Sequence, residues 1–189
     1  ILKALLLAVA AVPLFAAEHA AVDKGSFADI RQQLTAGNLR YVNGRAIHPR
    51  SSVEYRNKAA TADQSNYAIA TVVACSDSRA PVEMLFDAGL LELFVVRVPG
   101  NVCPDNLVGA VEYGVGHVQT PLLIVLGHTD YGAVKAMLKT VLDRRDGKTP
   151  PEMEPNLHKL LASMEKPISD FVAAHPGLKS ADAADSAVI

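Results

Sequence analysis

Three short apolar runs, separated by stretches of helical pattern, dominate the middle of the chain. Each run is rich in branched residues and apolar at both odd and even positions, as in strands that are covered on both faces. The runs lie at 67–74, 91–98 and 121–126. Helical patterns follow them at 81–89, 104–118 and 132–145. Strand–helix alternation predicts an α/β fold with a mainly parallel central sheet of four or more strands flanked by helices.

The segments on either side complete one domain, predicted at 21–189. Residues 26–44 have helical apolar spacing with Ser26 as a plausible N-cap, and predict an N-terminal helical arm. A proline-rich loop begins at Asp146, and 157–174 predicts an amphipathic helix. The last residues, ADAADSAVI, resemble the start of a further element, so we expect this domain to be truncated at its C-terminal end.

The first twenty residues predict a signal peptide. Lys3 is followed by a charge-free apolar run from Ala4 to Ala17, which suits the apolar core of an export signal and is short for a membrane span. We therefore expect periplasmic or otherwise exported protein, with no membrane association once the leader is cleaved. Anchorage by an uncleaved segment is the alternative.

Composition narrows the choice of partners. The 189 residues are half apolar and carry a formal net charge of −2 with both signs interspersed, which argues against nucleic acid as a partner. Cys75 and Cys103 are the two cysteines, and outside the cytoplasm they could form a disulfide.

Polar residues that suit chemistry follow the predicted strands. Cys75, Asp77 and Arg79 follow the first strand, and His128 follows the third. Because ligand sites in open α/β sheets lie at the carboxyl ends of the strands, these side chains are expected at one edge. Thiolate, imidazole and carboxylate are zinc ligands, although each residue alone could equally be structural. Asp130 suits a turn residue that binds nearby backbone.

The combination of motifs resembles the β-class carbonic anhydrases. The segments CSDSRAPVEMLFDAGLLELFVVRVPGN, AVEYGV and VLGHTDYGAV are similar to the parts of that family that contain its CxDxR motif, its RNAGN-like loop and its GHxxCGAV motif. The resemblance implies a zinc cofactor with Cys75 and His128 as metal ligands. It implies Asp77 and Arg79 as catalytic residues, with Asp77 also able to bind the metal in closed forms.

The chain departs from the family at Tyr131, which stands where HxxC has its second cysteine. A phenol titrates near pH 10 and is a weak neutral oxygen donor at pH 7. Three arrangements of the metal site are compatible with a tyrosine at this position. Zinc could be held by Cys75, His128 and Asp77, Cys103 could replace the lost thiolate, or zinc could be lost.

Three functions follow from these alternatives. The first, implied by the resemblance, is reversible hydration of carbon dioxide to bicarbonate by zinc-bound hydroxide, at a rate that the departure at Tyr131 could impair. Carbonyl sulfide and carbon disulfide are substrates of relatives with the same motifs. A metal-free, non-catalytic module with the same fold is the second. The third is a redox element that joins Cys75 to Cys103, which needs Cα atoms within about 7 Å. The resemblance also implies a homodimer or higher homo-oligomer.

Overall fold

The computed structural model describes residues 24–179 and the backbone of Leu6–Ala8. Within these residues the strands are β1 (Leu6–Ala8), β2 (Ala70–Ala74), β3 (Leu93–Arg97) and β4 (Leu123–Leu126). The α-helices are α1 (Phe27–Val42), α2 (Val53–Ala59), α3 (Val82–Leu85), α4 (Asp105–Glu112), α5 (Gly132–Arg145), α6 (Pro155–Leu161) and α7 (Glu165–Ala174). Short 3-10 turns lie at Gln64–Asn66, Pro99–Asn101 and Ala162–Met164.

The sheet has the order β1-β4-β2-β3, and its three longer strands are parallel. In this register Ala74 of the central strand β2 lies between Arg97 of β3 and Leu126 of β4. The carboxyl ends of the three strands therefore reach one edge of the sheet together. The segments that follow them, beginning at Cys75, Val98 and Gly127, meet at that edge, as the sequence predicts.

Two apolar clusters hold the helices against the sheet. In the first, α1 and α3 pack with β2 and β4, and its members include Ile30, Leu34, Val82 and Ile124. The second joins α5 to the α6–α7 region and to the segment after β3 through residues such as Met137 and Leu142. All five residues of β2 are buried, which explains why its sequence is apolar at both parities.

Three predicted helices differ in extent from the observed ones. The helix predicted at 81–89 is the short α3, and Asp87 beyond it has a left-handed φ of 44°. The helix predicted at 104–118 changes after Glu112 to a π-helical turn at Tyr113–His117. The helix predicted at 157–174 is divided into α6 and α7 by a 3-10 turn. Pro167 explains this division, because a proline inside a continuous helix removes one backbone donor and clashes with the preceding turn.

The predicted leader, 1–20, lies largely outside the described residues. Its part at Leu6–Ala8 forms β1, which pairs antiparallel with β4. In the part of the chain that the structure describes, no helix has the length and apolar character needed to cross a membrane.

Candidate metal-binding edge of the sheet

Cys75 is the first residue after β2 and is buried, with 5% of its surface exposed. The Asp77 N–H donates to its Sγ at 3.4 Å. Arg97, at the end of β3, donates from Nε to the Cys75 carbonyl at 2.8 Å and from Nη2 to the Asp77 carbonyl at 2.7 Å. Arg97 therefore fixes the backbone of the loop that carries the thiol and the carboxylate.

Asp77 and Arg79 form a bidentate ion pair. Arg79 donates from Nε to Asp77 Oδ1 at 3.0 Å and from Nη2 to Oδ2 at 2.7 Å, and its backbone N–H donates to Oδ1 at 2.9 Å. These hydrogen bonds hold the pKa of Asp77 far below its usual range. The carboxylate stays ionised at neutral pH, and both of its oxygens are engaged by Arg79.

His128 follows β4 in a loop whose backbone selects the tautomer of its ring. Nδ1 lies 2.6 Å from the Thr129 carbonyl oxygen. Because a carbonyl can only accept, Nδ1 carries the proton and Nε2 has the free lone pair. Nε2 is buried and has no hydrogen-bond partner among the described residues. A buried imidazole nitrogen of this kind is suited to bind a metal.

Tyr131 fills the space beside His128. The two rings stack with centroids 3.7 Å apart at an interplanar angle of 22°. The backbone N–H of His128 donates to the phenol oxygen of Tyr131 at 3.2 Å. Burial raises the pKa of Tyr131, and the neighbouring Cys75 and Asp77 act in the same direction, against the opposing effect of the His128 N–H. The phenol is therefore neutral at physiological pH and is a weaker metal donor than a thiolate.

The donors at this edge do not complete a three-ligand zinc centre. Cys75 and His128 offer the sulfur and nitrogen that zinc prefers, and the unpartnered Nε2 of His128 fits a metal. However, both oxygens of Asp77 are held by Arg79. Among the described residues no three histidine, cysteine, aspartate or glutamate side chains lie grouped so that they could hold an ion. Catalytic zinc sites in proteins have three protein ligands, and beside Cys75 and His128 the side chain of Tyr131 offers only a neutral phenol.

Cys103 differs from Cys75 in its exposure to solvent. It is exposed and lines a cleft with Asn101, Val134 and Met164, whereas Cys75 is buried. Both cysteines are free thiols.

The structure thus brings Asp77 and Arg79 into contact and places Cys75, His128 and Tyr131 at the same edge, as the sequence predicts. Arg97 is a residue of this edge for which the sequence motifs predict no role. Its signal was its position at the end of a strand beside β2, where a long cationic side chain can reach the carbonyls of the neighbouring loop. Asp130, expected as a turn residue, has a carboxylate that pairs with Arg79 and Lys135.

Comparison with known proteins assigns this arrangement to one family. The family model described as carbonic anhydrase matches residues 70–188. The carbonic anhydrase of Mycolicibacterium smegmatis is 43% identical over 108 residues, which are 57% of this chain and 51% of that protein. Carbonic anhydrase 2 of Mycobacterium tuberculosis is 41% identical over 110 residues, 58% of this chain and 52% of that protein. The chain thus spans about half the length of the curated relatives it matches.

Solved structures show the same fold. The tetrameric β-carbonic anhydrases of Sordaria macrospora match with a TM-score of 0.55 at 16% identity, over 79% of this chain and 70% of theirs. The Coccomyxa β-carbonic anhydrase in complex with acetazolamide matches with a TM-score of 0.55 at 24% identity, over 82% of this chain and 64% of its own. Since the family model covers more than half of the chain, including Cys75, Asp77, Arg79 and His128, the chain belongs to the carbonic anhydrase family.

Proposed function

We propose that this protein performs the reaction of its family, reversible hydration of carbon dioxide to bicarbonate, only weakly, because Tyr131 leaves its zinc site one ligand short. One observation carries the proposal. The ring of Tyr131 stacks on that of His128 with centroids 3.7 Å apart, and its oxygen accepts from the backbone N–H of His128. This contact supports the proposal, because the resemblance of the motif puts a zinc-binding thiolate at this position and the chain has a buried phenol there.

The retained residues have clear roles in this proposal. Cys75 and His128 are the two remaining zinc donors, and zinc, where bound, lowers the pKa of its water to near neutrality. Asp77 is an ionised hydrogen-bond acceptor beside them, and Arg79 sets its position. Arg97 fixes the backbone of the loop that carries Cys75 and Asp77. These residues are the ones expected of a carbonic anhydrase in which one substitution, at position 131, has lowered the affinity for zinc.

A metal-free, non-catalytic module is the limiting case of the same proposal. This case is favoured by the engagement of both Asp77 oxygens by Arg79. The Cys75 sulfur and the His128 nitrogen are then the two zinc donors at this edge, and the Asp77 carboxylate is not available as a third. The two cases differ in whether any zinc-dependent turnover remains.

The experiment is a stopped-flow measurement of carbon dioxide hydration in zinc-supplemented buffer. We expect Tyr131→Cys to be faster than the unmodified protein by about 100-fold, because loss of a zinc-binding thiolate costs at least as much as loss of a group that merely supports a ligand. Tyr131→Phe is the matched control, since it removes the phenol oxygen without adding a thiolate, and it should stay as slow as the unmodified protein.

Equal rates for the unmodified protein and Tyr131→Cys would contradict the proposal. The double variant Cys103→Ser with Tyr131→Cys should keep the gained activity. Loss of activity in that double variant would mean that Cys103 is also required, and would contradict a ligand set made of Cys75, His128 and residue 131 alone.

We further propose that the protein is exported. Export is supported by the charge-free run at 4–17, and cell fractionation of the protein with its leader would test it.

We also propose that the protein forms a homodimer or a higher homo-oligomer. Self-association is supported by the apolar side chains that α1 leaves exposed, since Phe27, Leu39 and Val42 are each more than half accessible. Light scattering during size-exclusion chromatography should give at least twice the mass of the chain, and a monomeric mass would contradict it.

A further inference from the structure

Arg79 is held by two loops at once. Besides its contacts with Asp77, its Nη1 donates to Asp130 Oδ2 at 2.8 Å and its Nη2 donates to the Asp130 carbonyl oxygen at 3.1 Å. Asp77 belongs to the loop after β2, and Asp130 belongs to the loop after β4. The planar guanidinium therefore uses all three of its nitrogens to bridge the segments that carry Cys75 and His128.

Asp130 is itself fixed in place. Its backbone has a left-handed φ of 64°, a conformation that aspartate and asparagine adopt more readily than other non-glycine residues. Its second carboxylate oxygen pairs with Lys135 in the first turns of α5. With one oxygen on Arg79 and the other on Lys135, the carboxylate is tied to α5 and gives Arg79 a stationary anchor.

We propose that Asp130 is a positioning residue that holds Arg79 on Asp77 and thereby keeps the Asp77 carboxylate away from the metal position. Because Arg79 cannot turn away from Asp77 without also leaving Asp130, the second contact opposes release of Asp77. This inference rests on the proposed function, since it takes the Cys75–His128 edge as the place where a metal binds. It also accounts for the absence of Asp77 from the donor set described above.

The expected effect is moderate. The side chains of Arg79 and Asp130 are 45% and 42% exposed, so water screens their attraction. Arg79 also keeps its three contacts with Asp77 when Asp130 is neutralised. Removing the Asp130 charge should therefore loosen Arg79 without releasing it completely.

The test uses Asp130→Asn in the full chain without metal. Asparagine has the same shape and also tolerates a left-handed backbone, so the variant removes the charge and leaves the loop conformation available. The measurement is hydrogen exchange at the Arg79 Nε–H by nitrogen-15 NMR, with the signal assigned through Arg79→Lys. We expect exchange to become about two- to fivefold faster, the range of an exposed ion pair.

Arg97 provides an internal reference for this measurement. Its Nε donates to the Cys75 carbonyl and touches neither Asp130 nor Lys135 in the hydrogen bonds described. Faster exchange at Arg79 with unchanged exchange at Arg97 supports the positioning role. Equal acceleration at both would indicate general loosening and would overturn it, as would unchanged exchange at Arg79. Asp170→Asn, which neutralises an exposed carboxylate on α7, should change neither signal.

A second measurement follows the consequence for Asp77. In the Tyr131→Cys background, cobalt(II) is titrated and its visible absorption recorded with and without Asp130→Asn. We expect the added variant to change the absorption because Asp77 then reaches the metal in a larger fraction of the molecules, and we expect that change to vanish when Asp77→Asn is also present. A change that persists without the Asp77 carboxylate would overturn the link from Asp130 to Asp77.

The outcomes separate this inference from the proposed function. Rapid carbon dioxide hydration by the unmodified protein would remove the proposed function, while the exchange rate at Arg79 in the metal-free chain would still decide whether Asp130 holds the guanidinium.

Discussion

Asp87 ties α1 and the loop after it to the turn that follows α3, and neutralising it should destabilise the fold measurably. Its side chain is fully buried and accepts from Arg40 Nε at 2.6 Å, from the Ile47 N–H at 3.0 Å and from the His48 N–H at 2.9 Å. Asp87→Asn keeps the shape and tolerates the left-handed φ of 44° at this position, but it removes the charge that all three donors face.

The magnitude follows from these contacts. One charge-assisted hydrogen bond contributes about 1.5–3 kcal/mol, and a buried donor left unsatisfied costs about 1–3 kcal/mol. The loss is smaller than the sum of these contributions, because two of the three donors can be hydrated in the variant. The Arg40 side chain is 34% exposed, and the Ile47 N–H lies on an exposed loop. We therefore expect Asp87→Asn to lower the free energy of unfolding by about 2 kcal/mol at pH 7.

The effect should depend on pH with a definite sign. Burial by itself would raise the pKa of Asp87, but the hydrogen bonds from Arg40, Ile47 and His48 outweigh it, and the folded-state pKa lies below the ordinary value. Stability from such a group is present above its unfolded pKa, near 4, and is lost as pH falls through the lower folded value. The stability difference between the unmodified protein and Asp87→Asn should therefore shrink below about pH 4.

Urea unfolding, followed by circular dichroism at several pH values, measures both effects. Asp170→Asn is the control, because that carboxylate is 66% exposed and pairs only with Lys166 in the contacts described. A difference below about 0.5 kcal/mol between Asp87→Asn and the unmodified protein at pH 7 would refute the reasoning, since that is the range of a neutral surface change.

Two further predictions concern packing and thiol access. Gly114→Ala should lower the free energy of unfolding by about 1–3 kcal/mol in urea titrations, because an added Cβ would lie 2.4 Å from Thr71 Oγ1. Gly116→Ala is the control, since its Cβ would meet nothing within 4 Å, and it should change the free energy of unfolding far less. Equal losses in the two variants would contradict the packing argument. Cys103 is exposed and Cys75 is buried, so a thiol reagent should label one cysteine of the native protein rapidly and that labelling should be lost in Cys103→Ser; rapid labelling that remains in Cys103→Ser would contradict the burial of Cys75.

The fold was predictable wherever apolar spacing alone decides the structure. The three parallel strands and α1 and α5 lie where the pattern predicts them, because each buries a continuous apolar face. The π-helical turn after α4 was not predictable, since it depends on a contact between distant parts of the chain. Gly114 packs there against Thr71 and Phe94, and no local pattern marks that approach.

The candidate site was predictable in its residue types and less so in its contacts. The motifs at 75–79 and 127–131 placed the thiol, the carboxylate and the imidazole at one edge because parallel strands end together. The stacking of Tyr131 on His128 and the bridge from Arg79 to Asp130 depend on side-chain geometry between two loops. Sequence spacing carries no information about which of several acceptors a long arginine side chain will reach.

The most direct test of the account is the zinc content of the purified protein, measured by elemental analysis after dialysis against zinc-containing and then metal-free buffer. Under the proposal that Tyr131 occupies the position of the third zinc ligand, we predict far less than one zinc per chain in the unmodified protein and close to one per chain in Tyr131→Cys. One zinc per chain in both proteins would show that Cys75 and His128 suffice without the missing thiolate, and would contradict the central claim.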